Sequence, residues 1–84
     1  MSYEIAILRR GQKELEDLPK REYERVRDAI WGLADNPHPP NSLKLKGRDG
    51  FRLKIGKHRV IYEIDEREKL ITILHVGHRK DVYR

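Results

Sequence analysis

Cysteine is absent from this chain of 84 residues, and methionine, tryptophan and phenylalanine occur once each. Without cysteine no disulfide can staple the fold and no thiolate can hold a metal. Stability must come from a core drawn from 37% hydrophobic residues. A chain of this length buries only about 60–65% of its unfolded surface, so its elements have to share one apolar layer. A single domain over residues 1–84 is expected. No apolar run approaches the roughly 18 residues of a membrane span, and the first residues lack a signal-peptide pattern. With the missing cysteine, this leads to the expectation of a soluble, cytoplasmic protein with no membrane partner. His38, His58, His75 and His78 share no ligand-like spacing, and the acidic residues are scattered, so neither a metal nor a cofactor is expected. No repeat, low-complexity segment or phosphate-loop glycine pattern occurs; Gly47, Gly50 and Gly56 read as turn residues.

Acidic residues are also scarce in one particular stretch. Between Leu43 and Val60, seven cations (Lys44, Lys46, Arg48, Arg52, Lys54, Lys57 and Arg59) stand against Asp49 alone, a local +6 in a chain whose net charge is +5. All the excess charge thus sits in one segment, which favours a polyanionic partner, nucleic acid above membrane surface.

Within that segment Phe51 to Tyr62, FRLKIGKHRVIY, reads as a tight β-hairpin turning at Gly56-Lys57. Glycine at the first central position suits a type II′ turn. Counting outward, Ile55 faces His58, Lys54 faces Arg59, Leu53 faces Val60 and Arg52 faces Ile61. Alternation along the strands then gathers Phe51, Leu53, Ile55, Val60 and Tyr62 on one face and Arg52, Lys54 and Arg59 on the other. Like charges opposed on a sheet destabilise it by tenths of a kcal/mol, a cost more easily understood if an anion binds there.

The remaining elements follow from periodicity. Tyr3 to Leu8 reads as a first strand, and Gln12 to Leu18 as a short helix closed by Pro19. From Lys20 to Asp35, Tyr23, Val26, Ile30, Leu33 and Ala34 fall within one arc of a second helix, with Trp31 at the rim of the core. Asn36 to Ser42, NPHPPNS, is a rigid crossover. Leu43 to Lys46 reads as a short strand or its approach, followed by a turn to Gly50. After the hairpin, a charged turn over Asp65 to Lys69 leads to a strand over Leu70 to Gly77, too apolar for a sheet edge. Pairing Ile64 with Leu70 sets Arg59 beside His75, with Arg79 on the same side. The expected class is α+β: an N-terminal strand and a two-helix hairpin packed on one face of a small, mainly antiparallel sheet.

The order of these elements, with the aromatic-basic-apolar-basic pattern at Phe51 to Lys54, R-V-I-Y at Arg59 to Tyr62, and V-G-H-R-K-D-V-Y at Val76 to Tyr83, resembles the RelE/ParE superfamily of toxin-antitoxin toxins over essentially the whole chain. The RelE branch cleaves messenger RNA in the ribosomal A site; the ParE branch poisons gyrase and lacks the nuclease residues. The resemblance implies the RelE activity, a cognate antitoxin protein, and the ribosome with mRNA in its A site as partners. By motif it assigns Arg52 and Lys54 to the basic pair of the central strand, Arg59 to the phosphate-binding arginine, and Arg79 and Tyr83 to the C-terminal arginine and tyrosine. Lys44, Lys46, Arg48, Lys57 and His78 are the further candidates for RNA binding. The alternative is a ParE-like poison or a plain nucleic-acid-binding module, which needs charge but not this set.

The chemistry of such a set can be argued on its own. Cleaving RNA with its own 2′-hydroxyl as nucleophile needs a base, cations for the charge developing on phosphorus, and a proton for the leaving 5′-oxygen. No metal is required. Lys54, between two like charges, is disfavoured as an ammonium and suits the base. Arg59 and Arg79 suit phosphate, Tyr83 a splayed base, and His78, beside Arg79, an acid or base. His75 is expected half-buried in the sheet; His38 and His58 are expected to be structural or solvated.

Overall fold

The structure, a computed structural model, describes residues 2–80. Tyr83, expected from sequence to stack on a base, therefore lies outside the described residues. Strand β1 (Glu4–Ile7) is followed by helices α1 (Arg9–Glu16) and α2 (Lys20–Gly32), then by β2 (Ser42–Lys44), β3 (Phe51–Ile55), β4 (His58–Asp65) and β5 (Leu70–His78). The sheet order is β1-β5-β4-β3-β2. Strand β1 runs parallel to β5, and the other three pairings are antiparallel. The class expected from sequence is therefore the one observed, and the apolar β5 lies inside the sheet.

Leu15, Val26, Ile30 and Leu33 from the helical segment pack on Leu53, Ile55, Val60, Tyr62, Ile71, Ile73 and Val76 from the sheet. No buried polar or charged residue interrupts this layer among the described residues. The opposite, outer face carries Arg52, Lys54 and Arg59.

Helix α1 begins three residues earlier than its periodicity suggests. Gly11, just before the helix read from sequence, lies inside α1 and buried, where a Cβ would stand 3.4 Å from the Ile73 carbonyl oxygen and 3.5 Å from Ile7 Cγ2. The missing side chain lets α1 press onto β5, a contact more useful than helix propensity at that position. Helix α2 stops at Gly32 rather than Asp35. The N–H groups of Leu33, Ala34 and Asp35 turn onto the carbonyls three residues back, of Ile30, Trp31 and Gly32, tightening the end into a 3₁₀-like turn. Trp31 is 53% exposed, at the rim of a small groove lined by Ile7, Leu15, Tyr23 and Ile30.

The register of the last hairpin differs from expectation. Asp65 pairs with Leu70 and Ile64 with Ile71, one residue off the expected pairing. Asp65 Oδ1 accepts the N–H groups of Arg67 (3.0 Å) and Glu68 (3.0 Å), and Lys69 takes φ +52, so the turn closes without glycine. Tyr62 then faces Ile73 while Ile61 faces His75, leaving Leu74 as an unpaired bulge residue. The two shifts together set Arg59 opposite Gly77, and His75 two positions further along the strand.

Candidate active site

The β3–β4 hairpin has the register counted from its sequence: Phe51 with Tyr62, Arg52 with Ile61, Leu53 with Val60, Lys54 with Arg59 and Ile55 with His58. Gly56 takes φ +57 and Lys57 does not have a positive φ, the pattern of a type II′ rather than a type I′ turn. Arg52, Lys54 and Arg59 thus share the outer face. Ile61, opposite Arg52 on that face, is buried at 3% exposed, so the face is not a uniform band of charge.

Each cation of the trio is held by a different device. Arg52 sits between Leu43 of β2 and Ile61 of β4. Lys54 lies past the end of β2, where its N–H donates to the Asn41 carbonyl (3.0 Å) and its carbonyl accepts from Asn41 Nδ2 (2.6 Å). Both backbone groups of Lys54 thus point away from β4, which makes Lys54 and Arg59 a non-hydrogen-bonded pair with closely spaced side chains. Arg59 turns Nη1 onto the carbonyls of Gly56 (2.8 Å) and His58 (2.9 Å). Two carbonyl dipoles therefore offset the charge that Lys54 opposes, and the remaining guanidinium donors stay available to an anion.

Arg79 is exposed, and its N–H donates to the Lys57 carbonyl (2.8 Å), which ties the end of β5 to the hairpin turn. Its parity continues that of Gly77, opposite Arg59, so Arg79 belongs to the same end of the outer face. The other candidates are dispersed. Lys57 occupies the turn. His78 pairs with His58 on the helix side of the sheet, with ring centroids 6.2 Å apart, and its Nδ1 accepts the Lys80 N–H (3.2 Å). Lys44 also lies on the helix side, its Nζ 5.3 Å from the centre of the Phe51 ring. Lys46 and Arg48 lie in the β2–β3 connection, at the end of β3 away from Lys54.

Burial holds the His58 imidazole below its ordinary value, with His78, Arg25 and Arg59 acting in the same direction and Glu22 opposing. His75 is part-buried, with Nδ1 2.7 Å from Glu14 Oε1, and the same oxygen accepts the Val76 N–H (3.0 Å). Burial works against the Glu14 carboxylate, but the bonds from Val76 and His75 and the charges of His75 and Arg10 outweigh it and lower its pKa. Among the described residues no group of three or more His, Cys, Asp or Glu could hold a metal ion. Sequence reasoning missed two residues here. Glu14 is one helix-surface acid among several, with no local signal. Asn41, an amide between a Pro-Pro step and a strand, had a signal: it is placed to bond backbone that the strand leaves open.

Comparison with known proteins agrees with this architecture. The family model described as ParE toxin of type II toxin-antitoxin system, parDE, matches residues 5–83. Toxin RelG of Mycobacterium tuberculosis is 31% identical over 100% of this chain and 99% of its own length. Toxin RelE of the same organism is 30% identical over 98% of this chain and 87% of its own. A chain in the archaeal RelE-RelB complex from Pyrococcus horikoshii OT3 superposes with a TM-score of 0.85 at 32% identity, covering 98% of this chain and 100% of that one. A helical hairpin on a five-stranded sheet with a basic outer face defines the class. The chain belongs to the RelE/ParE superfamily of type II toxin-antitoxin toxins, on its RelE branch.

Proposed function

We propose that this toxin is a ribosome-dependent endoribonuclease that cleaves messenger RNA in the ribosomal A site and so inhibits translation. The observation that carries the reading is the convergence of Arg52, Lys54 and Arg59 on one sheet face, with Arg79 tied to the adjacent turn. Lys54 takes the proton of the RNA 2′-hydroxyl, whose oxygen bonds to the adjacent phosphorus as the bond to the 5′-oxygen breaks, and that oxygen leaves as a hydroxyl by taking a proton from solvent. Arg59 and Arg79 hold the phosphate, and Arg52 adds positive charge where negative charge develops. Tyr83 stacks on an unpaired base. No metal takes part in this scheme. Lys57 and His78 flank the site at the turn end, and Lys44, Lys46 and Arg48 meet the RNA farther along its backbone. The protein acts in the cytoplasm; no helix among the described residues is long and apolar enough to cross a membrane.

A cognate antitoxin covers or distorts the cationic face. The archaeal relative is a RelE-RelB complex, which supports a partner of that kind with acidic and apolar segments that order on binding. Primer extension on a translating message, with and without the protein, tests the activity: new 5′ ends inside codons are expected only with ribosomes present. The ParE family match favours one second reading, a gyrase poison, which predicts no cleavage and impaired supercoiling.

A further inference from the structure

Lys54 belongs to β3, but the neighbouring strand that would fix its backbone ends one residue too early. Strand β2 reaches only Ser42, which pairs with Leu53. The chain before it is turned aside: the Ser42 N–H and Oγ both donate to the Pro39 carbonyl, at 2.9 and 2.7 Å. A continued strand would have offered Lys54 both a carbonyl and an N–H. Asn41 supplies the carbonyl from its backbone (3.0 Å) and replaces the N–H with its side-chain amide (2.6 Å). Among the hydrogen bonds described above, these two are what secure the Lys54 peptide on its β2 side. We propose that Asn41 is a positioning residue for Lys54, holding the strand so that the amine meets the 2′-hydroxyl of the RNA. The crossover thereby becomes part of the site without touching substrate. This inference rests on the role given to Lys54 in the proposed cleavage.

A displacement of even about 1 Å at a reacting group costs on the order of a hundredfold in rate, so a loosened strand should be read in kcat. In single-turnover cleavage on programmed ribosomes, Asn41→Ala is expected to lower kcat on the order of tenfold or more, with KM nearly unchanged because the arginines still bind phosphate. Asn41→Gln, which keeps an amide donor on a longer stem, should recover part of the loss. Ser42→Ala is the matched control. It removes a side-chain bond to backbone in the same crossover that is not made to Lys54, and should keep kcat within about twofold of the parent. Lys54→Ala separates the two levels. If Lys54→Ala cleaves normally, the proposed function of Lys54 fails. If Lys54→Ala is inactive while Asn41→Ala keeps the parental kcat, or loses no more than Ser42→Ala, the positioning role is overturned.

Discussion

Removing the Glu14 carboxylate should undo the seam between α1 and β5. Strand β1 ends at Ile7, opposite Ile73, so beyond that point β5 has no strand on its outer edge. Glu14 Oε1 fills the gap by accepting the Val76 N–H at 3.0 Å and meeting His75 Nδ1 at 2.7 Å. His75 Nε2 is already buried without a hydrogen-bond partner among the described residues. In Glu14→Ala, His75 would lose its ring partner and the Val76 N–H its acceptor. An unsatisfied buried group costs about 1–3 kcal/mol. The Glu14 side chain is 27% exposed, so water recovers part of this, and a total of about 2–3 kcal/mol is expected. For a domain of this size each kcal/mol moves Tm by about 4–8 °C, which gives a drop of roughly 10–20 °C at pH 7. Glu14→Gln keeps a carbonyl acceptor and loses only the charge, so it should fall between the two. A carboxyl whose folded value is depressed contributes stability that is fully present above its ordinary pKa of 4.5 and is lost as pH falls through the folded value. Melts of the parent and Glu14→Ala should therefore converge in acid. A Glu14→Ala protein within about 0.5 kcal/mol of the parent at pH 7, or a gap that stays constant into acid, would refute the reasoning.

Two further outcomes follow from the hairpin. His58 has a folded pKa below its ordinary 6.5, so its neutral form contributes stability that is present above that value and lost as pH falls through the folded one. Urea titrations from pH 8 to 5 should show this decline, and in His58→Gln that part of it should flatten. Gly56→Ala places a side chain at φ +57, with its Cβ 3.4 Å from Arg25 Nη2. It should lose about 1–2 kcal/mol with an unchanged m-value, and a midpoint equal to the parent's would contradict the turn assignment.

The β3–β4 register was legible because a two-residue turn with glycine first leaves one way to count outward, and every pair counted is observed. The β4–β5 register was not, because its turn holds no glycine and its bulge falls at Leu74, in a run where Ile73, Leu74 and Val76 give no sign of which residue lacks a partner. The start of α1 is hidden for a related reason: periodicity places it at Gln12, whereas Gly11 lies inside the helix because its missing side chain allows a close approach to β5. At the candidate site, alternation placed Arg52, Lys54 and Arg59 together, because face is a property of the sequence itself. The holding contacts were not visible. The bonds of Arg59 to the turn carbonyls and of Asn41 to Lys54 depend on where the crossover and turn sit in space. The bonds of Arg59 outweigh the tenths of a kcal/mol expected from its opposition to Lys54, so its loss should cost about 1 kcal/mol.

The claim that the outer face is the reacting surface is tested most directly by comparing Arg59→Ala with Arg67→Ala in cleavage on programmed ribosomes. Both changes remove one positive charge from β4 or the turn that follows it, but Arg67 is exposed in the β4–β5 turn, at the other end of β4. Run well below the melting temperature of either protein, the assay should show Arg59→Ala slowed on the order of a hundredfold, as when a donor to transition-state charge is removed, and Arg67→Ala within about twofold of the parent. Equal rates for the two proteins would contradict the assignment of this face.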